Sequence, residues 1–398
     1  MRVVRLFRIG GGMSTVIKLE ADVQQKLNIL AGEASDELNE IPTSPSIAPS
    51  SDQPTSFIYN TAKLGGGKMP VFKVLQTNAC RYSCKYCFTS CAIKRKRTTF
   101  KPDELATTFV SLQRAKKVEG MFLSSGIVPD PNTTMEKMLA TVERLRFKEK
   151  YQGYIHLKLI PGASFDYIER AVELADRVSL NLEAPNAERL AELAPDKEFQ
   201  ESMWQRLAWA GELIRRARAE GRTAARSLTT QFVVGAARES DRELMETIER
   251  AQRELGLWRA YFSAFHPIAR SPFADEPAED PTRAMRLYQA DFMLRDYGFH
   301  FDELPFDEQG LLPRHKSPKQ AWAERHLHEP VEVNRATRSQ LLRVPGIGPK
   351  SADAILEARR QSRLHDLSQL KVLGVTTSWA APYLLLDGRR APYQLQLW

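Results

Sequence analysis

From residue 71 to about residue 300, short apolar runs alternate with longer stretches whose apolar positions recur every three or four residues. The runs 71–75, 121–124, 154–160, 178–182, 229–234 and 260–265 predict strands, being short, rich in Val, Ile, Leu and Phe, and bounded by turn formers. The segments 102–116, 134–147, 165–176 and 241–255 predict amphipathic helices. Strand–helix alternation implies a parallel sheet with helical crossovers. Six such units predict an α/β fold, a partial (β/α)6 barrel. Parallel barrels carry their chemistry on the loops that follow the C-terminal ends of the strands, so candidate residues are sought there.

The flanks break this rhythm. Residues 23–31 read as a short helix, and 41–55, rich in Pro, Ser and Thr, read as a loop or arm. Gly65-Gly66-Gly67-Lys68 lacks the phosphate-loop frame because Met69 follows the lysine, and it reads as a turn before the first strand. The expected division is an N-terminal arm over 1–60, the barrel over 61–310, a linker over 311–330 and a small all-α module over 331–398. No run of about 18 apolar residues occurs, so no membrane span is expected. Residues 1–12 carry Arg2, Arg5 and Arg8 without a long apolar core and do not read as a signal peptide; either Met1 or Met13 fits as the start. The net charge of +8 suits a nucleic-acid partner.

All four cysteines fall within residues 80–91 of a 398-residue chain. A disulfide framework would scatter them, so metal binding is the natural reading, and reduced, clustered thiols with no export signal point to the cytoplasm. Cys80, Cys84 and Cys87 have the spacing C-x3-C-x2-C. Three thiolates on one short loop can hold three irons of a four-iron cluster and leave the fourth open to an outside ligand. Two other readings use Cys91 as well: a four-thiolate zinc site, which lacks the usual second C-x2-C pair, and a closed cluster of ferredoxin type.

Polar and small residues gather at the other strand ends. The second strand runs into Ser124-Ser125-Gly126, and the third carries His156 and Lys158. In the fourth, Ser179, Asn181 and Glu183 alternate with Val178, Leu180 and Leu182, which puts the polar side chains on one face. Such residues are costly inside a parallel sheet unless they bind something. Asn181 and Glu183 suit a ribose or a carboxylate. The fifth strand offers Gln231 and Val233, then Gly235, where a ring can approach the backbone. The sixth ends Phe262-Ser263-Ala264-Phe265-His266-Pro267, a wall for a substrate.

The tail differs. Val344-Pro345-Gly346-Ile347-Gly348-Pro349-Lys350 joins two helix-like segments, 336–343 and 350–360. Gly346 and Gly348 expose backbone N–H groups where the second helix begins, a place that binds phosphate oxygens. Ile347 plugs the space between the helices, and Lys350 adds charge. A weaker echo, with one glycine only, follows at Leu373-Gly374-Val375. Over 331–398, Lys and Arg number ten against five acids, which fits a phosphate-facing surface. The run Lys94-Arg95-Lys96-Arg97 reads either as a second such contact or as a solvated face.

The cysteine loop resembles the signature of the radical S-adenosylmethionine (radical SAM) superfamily, and the tail resembles the helix–hairpin–helix DNA-binding motif. With 120–127, 153–163, 175–185, 193–197 and 230–236, the whole is similar to DNA modification/repair radical SAM proteins that end in such a hairpin. The resemblance covers roughly residues 70–390, and it fits 1–60 poorly. It implies a [4Fe-4S] cluster on Cys80, Cys84 and Cys87. It also implies SAM held by Tyr86, Ser124, Ser125, Gly126, Lys158, Asn181, Glu183, Gln231 and Val233, and DNA held by Gly346, Ile347, Gly348 and Lys350. The implied partners are DNA, an electron donor of flavodoxin or ferredoxin type and a uracil-DNA-glycosylase-like protein. The implied reaction splits SAM to methionine and a 5′-deoxyadenosyl radical that attacks DNA. A DNA-binding protein with a closed cluster and a radical SAM enzyme acting on RNA are the alternatives.

Overall fold

The computed structural model describes residues 4–6, 18–35, 58–62 and 67–390. The loop expected at 41–55 and the glycines at 65 and 66 lie outside the described residues. The chain divides into two compact units, Met1–Glu239 with Arg250–Glu279, and Ser240–Glu249 with Asp280–Trp398.

In the first unit, β1 (Val4–Leu6) pairs antiparallel with β2 (Lys18–Glu20), and α1 (Ala21–Ser35) follows. This helix runs beyond the expected 23–31. Leu27, Leu30, Ala31 and Ala34 form its buried stripe at helical spacing, and Lys26 reaches Glu104 at 2.9 Å. Next, β3 (Ile58–Ala62) lies antiparallel to β4 (Lys68–Leu75). A strand there was not expected from the pattern, because Ile58-Tyr59-Asn60-Thr61-Ala62 is short and half polar.

The predicted alternation then appears in full. After β4 come α2 (Pro102–Arg114), β5 (Gly120–Ser124), α3 (Pro131–Glu143), β6 (Tyr154–Lys158), α4 (Phe165–Leu174) and β7 (Arg177–Ser179). Then follow α5 (Ala187–Leu193), α6 (Gln205–Ala219), β8 (Ser227–Val234), α7 (Asp241–Leu255) and β9 (Arg259–Ala264). Helix starts are chemically marked. Asp130 accepts the Thr133 N–H at 2.9 Å ahead of Pro131, and Asn186 accepts that of Arg189 at 2.9 Å. Helix α3 continues as a π-helix over Arg144–Lys148, so the expected 134–147 is one segment of two windings.

The sheet has the order β3-β4-β5-β6-β7-β8-β9, parallel throughout except for β3. It is a curled half-barrel of six parallel strands with one antiparallel edge. Strand alternation sorts its two faces. On β6, Ile155 and Leu157 are fully buried, while Tyr154, His156 and Lys158 line the concave face. One register row crosses that face as Lys73, Phe122, His156, Arg177 and Ser227, and the next holds Lys158, Ser179, Thr229 and Arg259.

The second unit holds α8 (Pro281–Asp296), α9 (Pro318–His326), β10 (Val331–Glu332), α10 (Arg338–Arg343), α11 (Pro349–Gln361), α12 (Leu367–Val372) and α13 (Thr377–Ala380). The strands β11 (Leu384–Leu386) and β12 (Arg389–Arg390) complete it, and β11 lies between β10 and β12 in a small sheet. The region is helical as expected, with this sheet added. Residues 311–330, expected as a linker, contain α9. Leu341, Val344, Ile347, Ile355, Leu370 and Val375 form its buried core. No helix among the described residues is long and apolar enough to cross a membrane.

Candidate active site

The cysteine loop leaves the C-terminal end of β4 and is pinned shut at its base. Phe100 N–H donates to Gln76 O at 2.9 Å, and the Thr77 and Thr99 hydroxyls meet at 2.7 Å. Asn78 accepts the Thr98 N–H at 2.8 Å. Inside the loop, the Arg97 guanidinium donates to the carbonyls of Asn78, Thr89, Ser90 and Ile93 at 2.5, 2.8, 2.6 and 2.9 Å. Arg95 pairs with Glu33 at 3.1 Å and stacks over Phe88. The basic run is therefore neither free charge nor a solvated face throughout. Two of its four members organise the loop, because a chain turning this tightly leaves carbonyls that need donors.

A second segment braces the loop from outside. After α5, Leu193 O accepts the Lys85 N–H at 2.8 Å, and one Asp196 oxygen takes both the Ser83 N–H and its hydroxyl at 2.5 and 2.6 Å. Those donors hold the Asp196 carboxyl below its ordinary value. Next in sequence, Lys197 donates to Glu183 at 3.1 Å and to the Tyr86 hydroxyl at 3.4 Å. Burial would lower Lys197, but the Cys84 thiol group, Glu183 and Cys87 outweigh it and hold the ammonium raised. Neither Asp196 nor Lys197 was singled out as a site residue. The sequence signal for them is the stretch 193–197, which belongs to the family resemblance without a role for either residue.

Cys80, Cys84 and Cys87 all line one cavity at the C-terminal ends of the strands, while Cys91 does not line it and is exposed. Burial pushes the Cys84 thiol up to about 12 and also raises Cys87, which lies 3.1 Å from the Thr89 hydroxyl. Tyr86, Ser125 and Gly126 line the same cavity, and so do Lys158, Asn181, Glu183, Gln231 and Val233. Ser124 does not. It is fully buried at the strand end, and its carbonyl accepts the Gln76 N–H at 2.8 Å. Gly126 is required by close approach: a Cβ there would stand 2.3 Å from Ala79 O, beside the cysteine loop.

Alternation on the fourth strand holds: Ser179, Asn181 and Glu183 line the concave side, while Val178, Leu180 and Leu182 are fully buried. The ladder of β7 ends at Ser179, and the chain re-pairs at Glu183, whose N–H donates to Gln231 O at 3.0 Å. Glu183 has φ +65°, a left-handed conformation costly for a non-glycine residue and concentrated at functional sites. It lies buried with Oε1 on Lys197, and Oε2 has no hydrogen-bond partner. Ser179 lies lower on the same concave face, 2.8 Å from His156. Gly235 also departs from expectation. Its φ is +95°, and a Cβ there would meet Glu279 at 2.5 Å, so a carboxylate side chain rather than a ligand ring occupies that approach.

The donor set fits a cluster with an open iron. Three thiols face one cavity, the fourth cysteine stays outside it, and a buried carboxylate oxygen there still needs a donor. No three His, Cys, Asp or Glu side chains among the described residues converge closely enough to share one metal ion.

The family profile described as the radical SAM superfamily matches residues 74–251. Residues 74–251 are a radical SAM superfamily domain. The superfamily uses a [4Fe-4S] cluster and SAM. A helix–hairpin–helix motif matches residues 330–358. Among solved structures, the chain is similar to HydG, a maturase of the [FeFe]-hydrogenase (12% identity, 55% of this chain, 48% of that one, TM-score 0.42). It is also similar to methylornithine synthase, PylB (14%, 55% and 60%, 0.44), and to a radical SAM methyltransferase from Sphaerobacter thermophilus (17%, 60% and 70%, 0.40). The chain spans about half the length of the HydG chain. No curated protein matches it.

In the second unit the hairpin residues fall together. Gly346 has φ +80°, and a Cβ there would stand 2.4 Å from Thr376 O. Ile347 is buried, and Gly348 caps α11, whose second residue is the exposed Lys350. Lys319 donates to Ile347 O at 2.6 Å. Burial and then Arg343 lower its amine to about 7. Arg343 itself is tied to Glu303 at 2.6 Å and covers the Phe299 ring.

Proposed function

We propose that this chain is a radical SAM enzyme that acts on DNA in modification or repair. The observation that carries the chemistry is the single cavity shared by Cys80, Cys84 and Cys87, from which Cys91 is absent. Those three thiolates hold the cluster. When bound, the cluster supplies the electron that splits SAM to methionine and a 5′-deoxyadenosyl radical. Ser125 and Gly126 hold the amino end of SAM, while Lys158, Asn181, Glu183 and Gln231 take its carboxylate and ribose, and Val233 offers an apolar edge. Tyr86, raised well above its ordinary value by burial and then by Glu183, stays a neutral hydroxyl beside the thiolates. Enclosure by Phe88 and Phe265 keeps water from the radical.

The helix–hairpin–helix motif supports DNA as the partner. Backbone N–H groups at Gly346 and Gly348, with Lys350, bind phosphates without reading sequence. The division of labour is the barrel over 61–310 for the chemistry and the module over 331–398 for DNA. A low-potential flavodoxin or ferredoxin in the cytoplasm supplies electrons, and a uracil-DNA-glycosylase-like protein is a further partner. The test is anaerobic reconstitution with iron and sulfide, reduction, addition of SAM, and chromatography for 5′-deoxyadenosine. Production that disappears in Cys84→Ala supports the reading. None from a fully loaded cluster overturns it.

A further inference from the structure

The hairpin is supported from outside its own motif. Lys319 lies on α9, ahead of the matched residues 330–358, and is only 8% exposed. Its ammonium nitrogen donates to Ile347 O at 2.6 Å and stands 4.6 Å from the centre of the Tyr297 ring. Ile347 O is the one hydrogen-bond acceptor that Lys319 meets among the described residues. The groups around the amine offer it no anion. Arg343 of α10 faces it with like sign, and the Glu303 carboxylate is taken by Arg343 at 2.6 Å. Tyr297, at the end of α8, has its hydroxyl raised by burial. A buried cation with only a backbone carbonyl for company is costly, and an apolar side chain of similar length would fill the space without that cost.

The peptide that Lys319 holds is the one that opens α11. In a planar trans peptide the N–H points opposite to the C=O, so an Ile347 oxygen drawn inward turns the Gly348 N–H outward. The burial gradient runs the same way: Ile347 is buried, Gly348 half-buried and Lys350 exposed. The Gly348 N–H has no hydrogen-bond partner among the described residues. A donor on the carbonyl also strengthens the N–H of the same peptide, because hydrogen bonds in a chain polarise one another.

We infer that Lys319 is a positioning residue of the hairpin's phosphate site: it fixes the Ile347–Gly348 peptide with the N–H toward the phosphate and sets a positive charge behind that bond. A bound phosphate is the anion that Lys319 otherwise lacks. The amine stands near 7 in the free chain, and a phosphate in front of the peptide raises it. Binding therefore takes up a proton, so affinity is highest below about 7 and falls as pH rises through and beyond that value. This inference rests on the proposed DNA binding and names a residue outside the motif on which that binding depends.

The test uses the full-length, cluster-loaded chain under anaerobic conditions and a fluorescein-labelled DNA duplex of fixed sequence. Anisotropy titrations at one salt concentration run from about pH 6 to about pH 9, a range that brackets the amine's value in the folded chain. Wild type is expected to bind about tenfold more weakly at the alkaline end than at the acid end, the size of one charge-assisted hydrogen bond. Lys319→Met should bind at the acid end about as weakly as wild type does at the alkaline end, with a flat profile. Its melting temperature should not fall, because the substitution removes a buried charge. Lys319→Gln retains a shorter donor without the charge and should also give a flat profile; it decides the question if Lys319→Met does not fold. A flat wild-type profile, or a decline that persists unchanged in the variants, overturns the inference and leaves DNA binding standing. So does an affinity loss seen only where melting shows the variant unfolded. No binding of the duplex by wild type at any pH sinks the DNA reading on which the inference rests.

Discussion

The two candidate sites are built in opposite ways. The cysteine cavity gathers residues from Cys80 to Ile268, delivered by the ends of successive strands and two clamping segments. The hairpin site lies within the contiguous run Pro345–Lys350, with Ile347 as its plug and Lys319 and Thr376 bonded to its carbonyls. The difference teaches where each is vulnerable. A discontinuous site fails when register or buried charge balance is disturbed. A contiguous one fails when its local conformation is forbidden.

The largest expected effect tests the cavity's membership. Cys84→Ala should abolish the visible absorption of the reconstituted cluster, while Cys91→Ala should retain it. Loss in Cys91→Ala would establish a closed cluster and break the comparison at its root.

Next comes the buried charge pair that joins two of the distant segments. Lys197→Met leaves Glu183 buried with no cation and should cost roughly 3–5 kcal/mol in urea denaturation. The double variant Lys197→Met/Glu183→Gln should recover part of that loss, since the pair acts as a unit. Strict additivity would show that the two residues do not act together.

A buried amine bonded to the hairpin, Lys319 on α9, gives a pH signature. Lys319 stands near 7 in the folded chain against an ordinary 10.5. Between those values the unfolded chain binds the extra proton, so stability rises with pH through that window. The penalty for burying the charge is fully present below about 7. Lys319→Met should flatten the rise, as measured by denaturation across that range. An unchanged profile would place the pH dependence elsewhere.

Gly346→Ala combines a positive φ with a Cβ beside Thr376 O. It should cost about 1–3 kcal/mol and weaken DNA binding. Gly348 has no positive φ, and its Cβ would meet nothing closer than Tyr297 Oη at 3.5 Å, so Gly348→Ala should be milder. The smallest effect is expected for exposed Lys350→Ala. DNA affinity should fall evenly across sequences, and the salt slope should drop by about 1. A sequence-dependent loss would mean that Lys350 reads bases.

By itself the sequence determined the six parallel strands to within a few residues, because strand and helix periods differ and Pro131, Asp130 and Asn186 mark helix starts chemically. It also determined the C-x3-C-x2-C loop and the hairpin, since both are contiguous and their spacing is their geometry. Tertiary structure alone decided what depends on pairing across long separations. It added the antiparallel strand Ile58–Ala62, whose half-polar pattern carries no strand signal until β4 offers it an edge. It turned Arg97 inward as a staple and brought Asp196 and Lys197 under the cysteine loop. It also took Ser124 out of the cavity and turned Glu183 to a positive φ. A residue's type fixes what it can bond. Only the register of the sheet fixes which distant residue it meets, and that register is set by the packing of the whole unit rather than by neighbours in sequence.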